Sequence, residues 1–410
     1  MEKDRWGYSK LHRSGLRLSG PENQDVRLLI RMTRWRFTAI NDSGLPFLSE
    51  LCAIAQKYSS VRSAMLALAG SLRPWIALNA VTSGSAQSPS QRHQAVDLAS
   101  SALERYQSAL QDLQIKISEL HVSEANNDDI VELLGSVLIL ITAGFPSDSR
   151  PSQDADWTLH ISGIVSLIES LDQNHIQSVY ISRLAREIAA YLDIGIFSLG
   201  SLGQSRSRRA WLSWNIEPPG APQQTDFSPM EVMLGYPRSL VTVIASMAAL
   251  LECKDRGEID SLVQTTIAGL FEQARQGRDD ASPPVEQQQR EKQATIEELC
   301  TQLETTLTLW TQPVIPSRIS IPVRLALTTA WEIMRKAALI YLWRGGFGAN
   351  VQEQIPSVRA NIASKFIREM ILSLQALLHM YDEQRITIMN IMTWPTVVIA
   401  ISFLTDSAGR

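Results

Sequence analysis

Apolar residues recur every three or four positions along most of the chain, and this spacing predicts a protein built of α-helices. The pattern is most regular between 93 and 120, which reads as an amphipathic helix. Its apolar positions are Val96, Ala99, Leu103, Tyr106, Leu110, Leu113 and Ile117. Strands do not alternate with helices in a βαβ order, so the predicted fold class is all-α. We expect a large, irregular multi-helix domain without a sheet.

The same spacing predicts helices along the rest of the chain, separated by loops rich in Pro, Gly and polar residues. The predicted helices cover 47–77, 130–143, 157–171, 181–197, 238–252, 257–275, 294–309, 321–343, 350–380 and 386–403. Residues 130–143 are apolar on nearly every side, so we expect that helix to be central. Alanine and glycine along 64–70 would let another helix approach closely. Gly345-Gly346 predicts the end of the helix at 321–343.

Composition divides the chain into four parts. Residues 1–24 are polar and rich in Lys and Arg, and we expect a flexible basic tail. Residues 276–293 are polar and contain Pro-Pro, which predicts a linker. We therefore expect an N-terminal helical part at 25–275 and a C-terminal helical part at 294–410 that packs on the first.

Charge and cysteine content exclude several classes of protein. A net charge of −4 over 410 residues provides no general attraction to nucleic acid or to an anionic membrane. The cysteines, Cys52, Cys253 and Cys300, lie far apart and form no C-x-x-C pair. They predict neither a zinc finger nor a disulfide framework, and they favour a reducing intracellular compartment. Apolar runs are too short or interrupted to span a bilayer, and the first residues lack the apolar core of a secretion signal.

An acidic arrangement, D-D-x-x-E, stands before the apolar helix at 130–143. It consists of Asp128, Asp129 and Glu132, and two explanations are open. Either aspartate can be the N-cap, with Asp129 and Glu132 forming a capping box and all acids suiting the helix dipole. Alternatively, carboxylates three or four residues apart on one side of a helix can hold Mg²⁺, which prefers oxygen ligands and bridges to phosphates.

The magnesium explanation is typical of class I terpene cyclases, which are all-α and largely apolar inside. It predicts a cytoplasmic, Mg²⁺-dependent sesquiterpene or prenyl-diphosphate cyclase of fungal secondary metabolism. Asp128, Asp129 and Glu132 would be its catalytic metal ligands. A second metal motif would strengthen this hypothesis, but the nearest match, which starts at Asn174, ends in Ser182 where an acid is needed.

A resemblance to a known family rests on segments that follow one another in a fixed order. They are AMLALAG at 64–70, RHQAVDLASSALERYQSALQDL at 92–113, NNDDIVELLGSVLIL at 126–140, DWTLHISGIVSLI at 156–168, AAYLDIGIF at 189–197, SPMEVMLGYPRSLVTVIASMAAL at 228–250, AWEIMRKAALIYLWR at 330–344 and Trp394-Pro395. With these segments the chain resembles the fungal-specific transcription factor domain. This domain is the helical regulatory region of zinc binuclear-cluster regulators.

The resemblance implies a non-catalytic protein without a cofactor, located in the nucleus or shuttling between nucleus and cytoplasm. Its partners would be proteins of the transcription machinery or another regulator, with a small-molecule effector and a homo-oligomer as further options. The family's DNA-binding part is a six-cysteine zinc cluster, which the scattered cysteines here do not form. We therefore expect no direct sequence-specific DNA binding. The expected function is control of a (secondary) metabolic gene set through protein or small-molecule binding.

Overall fold

The computed structural model divides the chain into two compact units by its internal contacts. The first contains Met1–Phe37 and Asn41–Ala189, and the second contains Thr38–Ile40 and Ala190–Arg410. The residues that the structure describes are 24–29, 44–82, 89–120, 127–144, 163–165, 180–194, 210–214, 234–276, 295–317, 319–345, 357–384 and 388–408, with the single residues Gly20, Glu22, Ile168, Glu231 and Ile386.

Helix α2 is the centre of the first unit and packs against α1, α3 and α4. Tyr58 alone separates α1 from α2, so the helix predicted at 47–77 consists of two helices. The helices of this unit are α1 Gly44–Lys57, α2 Ser59–Thr82, α3 Pro89–Leu120, α4 Asn127–Gly144 and the first ten residues of α5 Tyr180–Asp193.

Small residues allow these helices to approach closely. A Cβ added to Gly70 of α2 would lie 3.4 Å from Cδ of Arg105 and 3.7 Å from Cα of Ala102 in α3. A Cβ on Gly135 of α4 would lie 3.5 Å from Val61 of α2. The close approach predicted for 64–70 is therefore confirmed.

The buried face of α3 is not the regular apolar face that its sequence displays. Ala102 and Ala109 are 9% and 1% exposed, whereas Val96 and Leu103 are 64% and 57% exposed. Leu113 is the member of the predicted apolar set that is fully buried. Alanine occupies the buried positions because its short side chain lets the backbone of α2 come near. Closely packed helices make more van der Waals contacts than helices that a longer side chain holds further apart.

Helices α7 and α10 form the core of the second unit. Every residue from 240 to 251 in α7 is buried, and this helix contacts α6, α8, α9 and α10. Helix α10 also packs against α11 and α12. The helices of this unit are α6 Ala210–Ser213, α7 Arg238–Arg256, α8 Ser261–Gln276, α9 Ile296–Leu309, α10 Ile321–Trp343, α11 Ser357–Gln384, the 3₁₀-helix Ile388–Ile391 and α12 Thr393–Ala408.

Local signals mark the ends of two helices of this unit. Thr295 and Glu298 form a reciprocal capping box at the start of α9, with the Glu298 N–H donating to Thr295 Oγ1 at 3.2 Å. Gly345 adopts a φ of 72° two residues after the last residue of α10, and its N–H donates to the Leu342 carbonyl at 3.1 Å. The predicted termination of α10 is therefore confirmed.

Where described, the chain is helical without any β-strand, and the predicted all-α class is confirmed. None of the described helices is long and apolar enough to cross a membrane. The basic tail predicted at 1–24 lies outside the described residues except for Gly20, Glu22 and Gln24. The linker predicted at 276–293 lies outside them except for Gln276, so the predicted division of the chain at this linker stays a prediction.

Candidate functional site

The first two turns of α4 carry the acidic arrangement, and the structure separates its members. Asp128 lies at the surface, where its Oδ2 is 2.6 Å from Nζ of Lys57, with side-chain exposures of 61% and 57%. Hydrogen bonds from Lys57 and Tyr58 hold the pKa of Asp128 below its ordinary value. Asp128 therefore links the start of α4 to the end of α1.

Glu132 lies one turn further along α4 and is buried, with 3% of its surface exposed. Its Oε1 accepts a hydrogen bond from the Ser60 hydroxyl at 2.6 Å, and its Oε2 is 3.3 Å from Nζ of Lys116. The hydroxyl of Ser136 is 3.1 Å from Ser60 Oγ and 2.8 Å from the Glu132 carbonyl oxygen. The Glu132 carboxylate thus joins α4 to α2 and α3, and it raises the pKa of Lys116.

The helix bounds correct the capping explanation. Helix α4 begins at Asn127, so Asp128 and Asp129 lie inside its first turn and neither is the N-cap. The Glu132 carboxylate faces Ser60 of α2, so the predicted capping box is wrong. Asp128 and Asp129 lie in the first turn, where acids suit the helix dipole, so this part of the explanation holds for these two residues and not for Glu132.

The same geometry bears on the magnesium explanation. Asp128 is exposed, Asp129 is half-buried, and Glu132 is buried against Ser60 and Lys116. Within the described ranges, no three His, Cys, Asp or Glu side chains come together in a way that could hold a metal ion. Metal binding by Asp128, Asp129 and Glu132 stays a prediction that this arrangement does not support.

A second buried carboxylate in the first unit belongs to Asp25, which is 0% exposed. Arg73 of α2 and Arg105 of α3 pair with its two oxygens. Arg62 of α2 pairs with the nearby Glu22 at 3.2 Å. Sequence reasoning does not single out Asp25, because Arg105 is 80 residues away along the chain. The available signal was an acid beside the buried apolar residues of 24–29.

The centre of the second unit is an aromatic cluster built around the turn that precedes α7. Gly235 has a φ of 83°, which favours glycine, and its carbonyl accepts a hydrogen bond from Trp331 Nε1 at 2.8 Å. The Tyr236 ring stacks on Tyr191 with centroids 4.4 Å apart. Trp211 meets Tyr236 edge-on at 6.3 Å, and its Nε1 donates to Thr242 Oγ1 at 3.0 Å.

Buried acids in the second unit bind backbone groups. Glu231 Oε1 accepts from the Arg238 N–H at 2.9 Å, next to the same turn. Asp193 Oδ2 accepts from the Ala210 N–H at 3.1 Å and so anchors α6 to the end of α5. Trp211 in this short helix and Trp214 directly after it are also buried.

These acids are thus engaged by cations, hydroxyls or backbone N–H groups, and the large aromatic rings pack on one another. Within each unit, such contacts hold helices against one another. The described residues thus define an all-α protein in which these acids join neighbouring segments.

A comparison with known protein families identifies the family of this chain. The profile of the fungal specific transcription factor domain matches residues 32–410. The chain belongs to this family, because the match covers nearly all of it. The resemblance that the segments between 64 and 395 predict is thereby confirmed. No curated protein and no solved structure matches the chain.

Proposed function

We propose that this protein controls the transcription of a set of metabolic genes, in particular genes of secondary metabolism, by binding other proteins or a small-molecule effector. The observation that carries the proposal is the family match over residues 32–410. A nuclear or nucleocytoplasmic location follows from that role. The protein partners would be components of the transcription machinery or another regulator.

The proposal assigns DNA reading to a partner, because the cysteines of this chain are unsuited to a zinc cluster. Zinc is bound by thiolates held close together. Cys52 and Cys253 are buried and Cys300 is half-buried, and burial raises the pKa of Cys52 to about 11. A cysteine with such a pKa stays a protonated thiol at neutral pH and packs as a small apolar side chain.

Engagement of the acids supports a non-catalytic role. A magnesium-dependent cyclase needs carboxylates that converge on a metal and on the diphosphate of its substrate. Glu132 is instead bound by Ser60 and Lys116 inside the helix packing. Asp128 is bound by Lys57 at the surface. These contacts favour a structural use of the D-D-x-x-E arrangement.

Gene deletion followed by transcript measurement tests the proposal. We expect altered transcript levels in a metabolic gene set, restored when the deletion strain carries the wild-type chain. A second complementing strain carries Glu132→Gln, which removes one hypothetical metal ligand and keeps an acceptor for Ser60. We expect this variant to restore the transcripts as well. Unchanged transcripts after deletion would contradict the proposal.

Purified protein provides the matching test of the cyclase alternative. The wild-type chain is incubated with Mg²⁺ and farnesyl diphosphate, and the headspace is analysed for volatile hydrocarbons. We expect no product above that of a heat-denatured sample. A hydrocarbon product that disappears with Glu132→Gln would overturn the regulatory proposal in favour of the cyclase.

A further inference from the structure

A helical segment precedes α1 in the first unit and buries one of its faces. The members of that face stand at the first, fourth, fifth and eighth positions of a helix, and they are Glu22, Asp25, Val26 and Leu29. We call them the docked face. Asp25, Val26 and Leu29 are 0%, 1% and 1% exposed, and Glu22 is half-buried. Arg27 is exposed on the opposite side, so the segment lies within the unit as an amphipathic helix.

The acids of the docked face pair with arginines of two other helices. Arg73 of α2 and Arg105 of α3 bind the two carboxylate oxygens of Asp25. Arg62, which lies about three turns before Arg73 on α2, pairs with Glu22 at 3.2 Å. The docked face therefore lies over the line along which α2 and α3 meet. We call this line, with its three arginines, the α2–α3 groove.

The α2–α3 groove selects its occupant by charge and by shape. Its three arginines face two carboxylates, and the planar guanidinium group matches a carboxylate with parallel hydrogen bonds. Gly70 of α2 leaves room for the stem of Arg105, because a Cβ on Gly70 would lie 3.4 Å from Arg105 Cδ. A fitting occupant is a helix with acids at its first and fourth positions and apolar residues at its fifth and eighth. Laying the apolar face of a helix in a groove is a recurring mode of peptide recognition.

The contacts that hold the docked face allow it to be exchanged. The side chains of Arg62, Arg73 and Arg105 are 36%, 34% and 37% exposed, so they can turn toward water when the segment leaves. Asp25 regains its hydration at the same time, and the attraction within a buried ion pair offsets little more than the desolvation cost. Two apolar side chains of the docked face, Val26 and Leu29, would lose their burial. A second helix of the same pattern would restore these contacts.

The family match separates the groove from its occupant. The match covers residues 32–410, so the three arginines belong to the family domain and the docked face lies before it. We infer that the α2–α3 groove is a docking site for an acidic amphipathic helix of a partner protein. The chain's own docked face fills this site until the partner helix displaces it. This inference does not depend on the proposed function.

Peptide binding by the full chain tests the docking site. The probe is a fluorescent peptide with the sequence of residues 20–31, and fluorescence anisotropy measures its binding. Asp25→Lys in the chain places a cation against Arg73 and Arg105 and should release the chain's own segment. Gln24→Lys is the matched control, because it adds the same charge at an exposed neighbouring position. We expect Asp25→Lys to bind the peptide at least about tenfold more tightly than the wild-type chain or Gln24→Lys, because a filled groove lowers apparent affinity by its open fraction.

A second substitution tests whether the peptide binds in the groove. Arg105→Ala, made in the Asp25→Lys chain, removes one of the guanidinium groups that face the peptide acid and should weaken binding about tenfold. Glu104→Ala in the same background is the control, because Glu104 is the exposed neighbour of Arg105 on α3. Circular dichroism measures the helix content of every variant.

Several results of these measurements would overturn the inference. One is a peptide that binds the wild-type chain and Asp25→Lys equally, and another is binding that Arg105→Ala leaves unchanged. A folded Asp25→Lys chain that binds no peptide is a third. Loss of helix content in Asp25→Lys also counts against the inference, because a segment that a partner replaces cannot be required for folding.

Hydrogen exchange tests the displacement in the wild-type chain. Backbone amides of 24–29 should exchange at least about tenfold faster than those of 64–72 in α2, because the segment opens without unfolding of the unit. Excess peptide should accelerate exchange at 24–29 further and leave 64–72 unchanged. This peptide carries Arg27→Lys at an exposed position, so that mass spectrometry separates its fragments from those of the chain. Equal protection of the two stretches, or no effect of the peptide on 24–29, would contradict displacement.

Discussion

The two units of this protein secure their interiors with different chemistry. In the first unit, buried carboxylates join helices: Asp25 pairs with Arg73 and Arg105, and Glu132 binds Ser60 and lies near Lys116. In the second unit, aromatic rings stack, and their polar edges donate to a backbone carbonyl and a hydroxyl. The contrast separates interactions that position helices from interactions that bury large apolar area.

The energetic expectation follows from desolvation. Burying a carboxylate removes its hydrating water, and the attraction within its ion pairs offsets little more than this desolvation cost. An indole buried on all sides gains apolar burial and dispersion, and its single N–H needs only one acceptor. Removing a large ring should therefore cost more than removing a carboxylate. Both should cost more than a change at the surface.

The largest effect is expected from Trp331→Ala in the second unit. Trp331 is 0% exposed and donates to the Gly235 carbonyl, so its removal leaves a large cavity and an unpaired acceptor. We expect a loss of about 3–5 kcal/mol in unfolding free energy, measured by urea denaturation. Leu325→Ala is the control on the same helix, because Leu325 is 58% exposed. Equal urea midpoints for the two variants would contradict the central position of Trp331.

A smaller loss is expected from Asp25→Asn in the first unit. The change removes the charge that pairs with Arg73 and Arg105, whose side chains are 34% and 37% exposed and can turn toward water. We expect a loss of about 2 kcal/mol, which is less than for a fully buried pair. Asp97→Asn is the control, because Asp97 is exposed on α3. Thermal unfolding that does not distinguish the two asparagine variants would show that Asp25 contributes nothing.

Glu132→Gln tests how much the second buried carboxylate of the first unit contributes to stability. The amide oxygen can still accept from Ser60, but the attraction to Lys116 is lost. We expect a loss of about 1 kcal/mol in unfolding free energy.

When Glu132→Gln is combined with Asp25→Asn, the two losses should add, because the two carboxylates have different partners. A double variant much more or less stable than the sum would show that the two networks are coupled.

Two glycine substitutions should have opposite signs. Gly135→Ala in α4 adds a Cβ at 3.5 Å from Val61, an ordinary contact, and alanine favours the helix. We expect a gain of about 0.5 kcal/mol in unfolding free energy. Gly257→Ala, at a φ of 72°, should lose about 1 kcal/mol, because a side chain is strained in this conformation. Differential scanning calorimetry compares them, and a destabilised Gly135→Ala would indicate tighter packing of α4 on α2.

The smallest effect is the acid dependence of the Lys57–Asp128 pair. The pair lowers the pKa of Asp128 in the folded state, so Asp128 stabilises the fold above its ordinary pKa of about 3.9. This contribution disappears as the pH falls through the lowered value. Asp128→Asn should therefore reduce the loss of stability on acidification, and added salt should have the same effect, because both side chains are exposed. Thermal midpoints against pH, at low and high salt, provide the measurement.

Local signals in the sequence predict most of the described helices and several of their ends, whereas the short helix α6 was not predicted. Gly345 acts at the position where it was expected, and Thr295 with Glu298 form a second signal of this local kind, because caps and left-handed glycines depend on residues a few positions away. The sequence predicts that Asp128, Asp129 and Glu132 lie near a helix start, but it does not predict which residues they contact. Glu132 and Ser60 are 72 residues apart, and the spacing of acids alone cannot show which of them turns inward.

Helix α3 shows the difference between what the sequence determines and what the tertiary structure decides. Its apolar spacing, with Val96 and Leu103 on one face, determines that an amphipathic helix forms. Which face of that helix is buried depends on its neighbours. Ala102 and Ala109 are buried, and Gly70 of α2 lies against Ala102, because short side chains permit the closest approach. Periodicity is a property of one helix, whereas burial is a property of the contacts between helices. The apolar face with Val96 and Leu103 is therefore visible in the sequence, and its exposure is visible only in the fold.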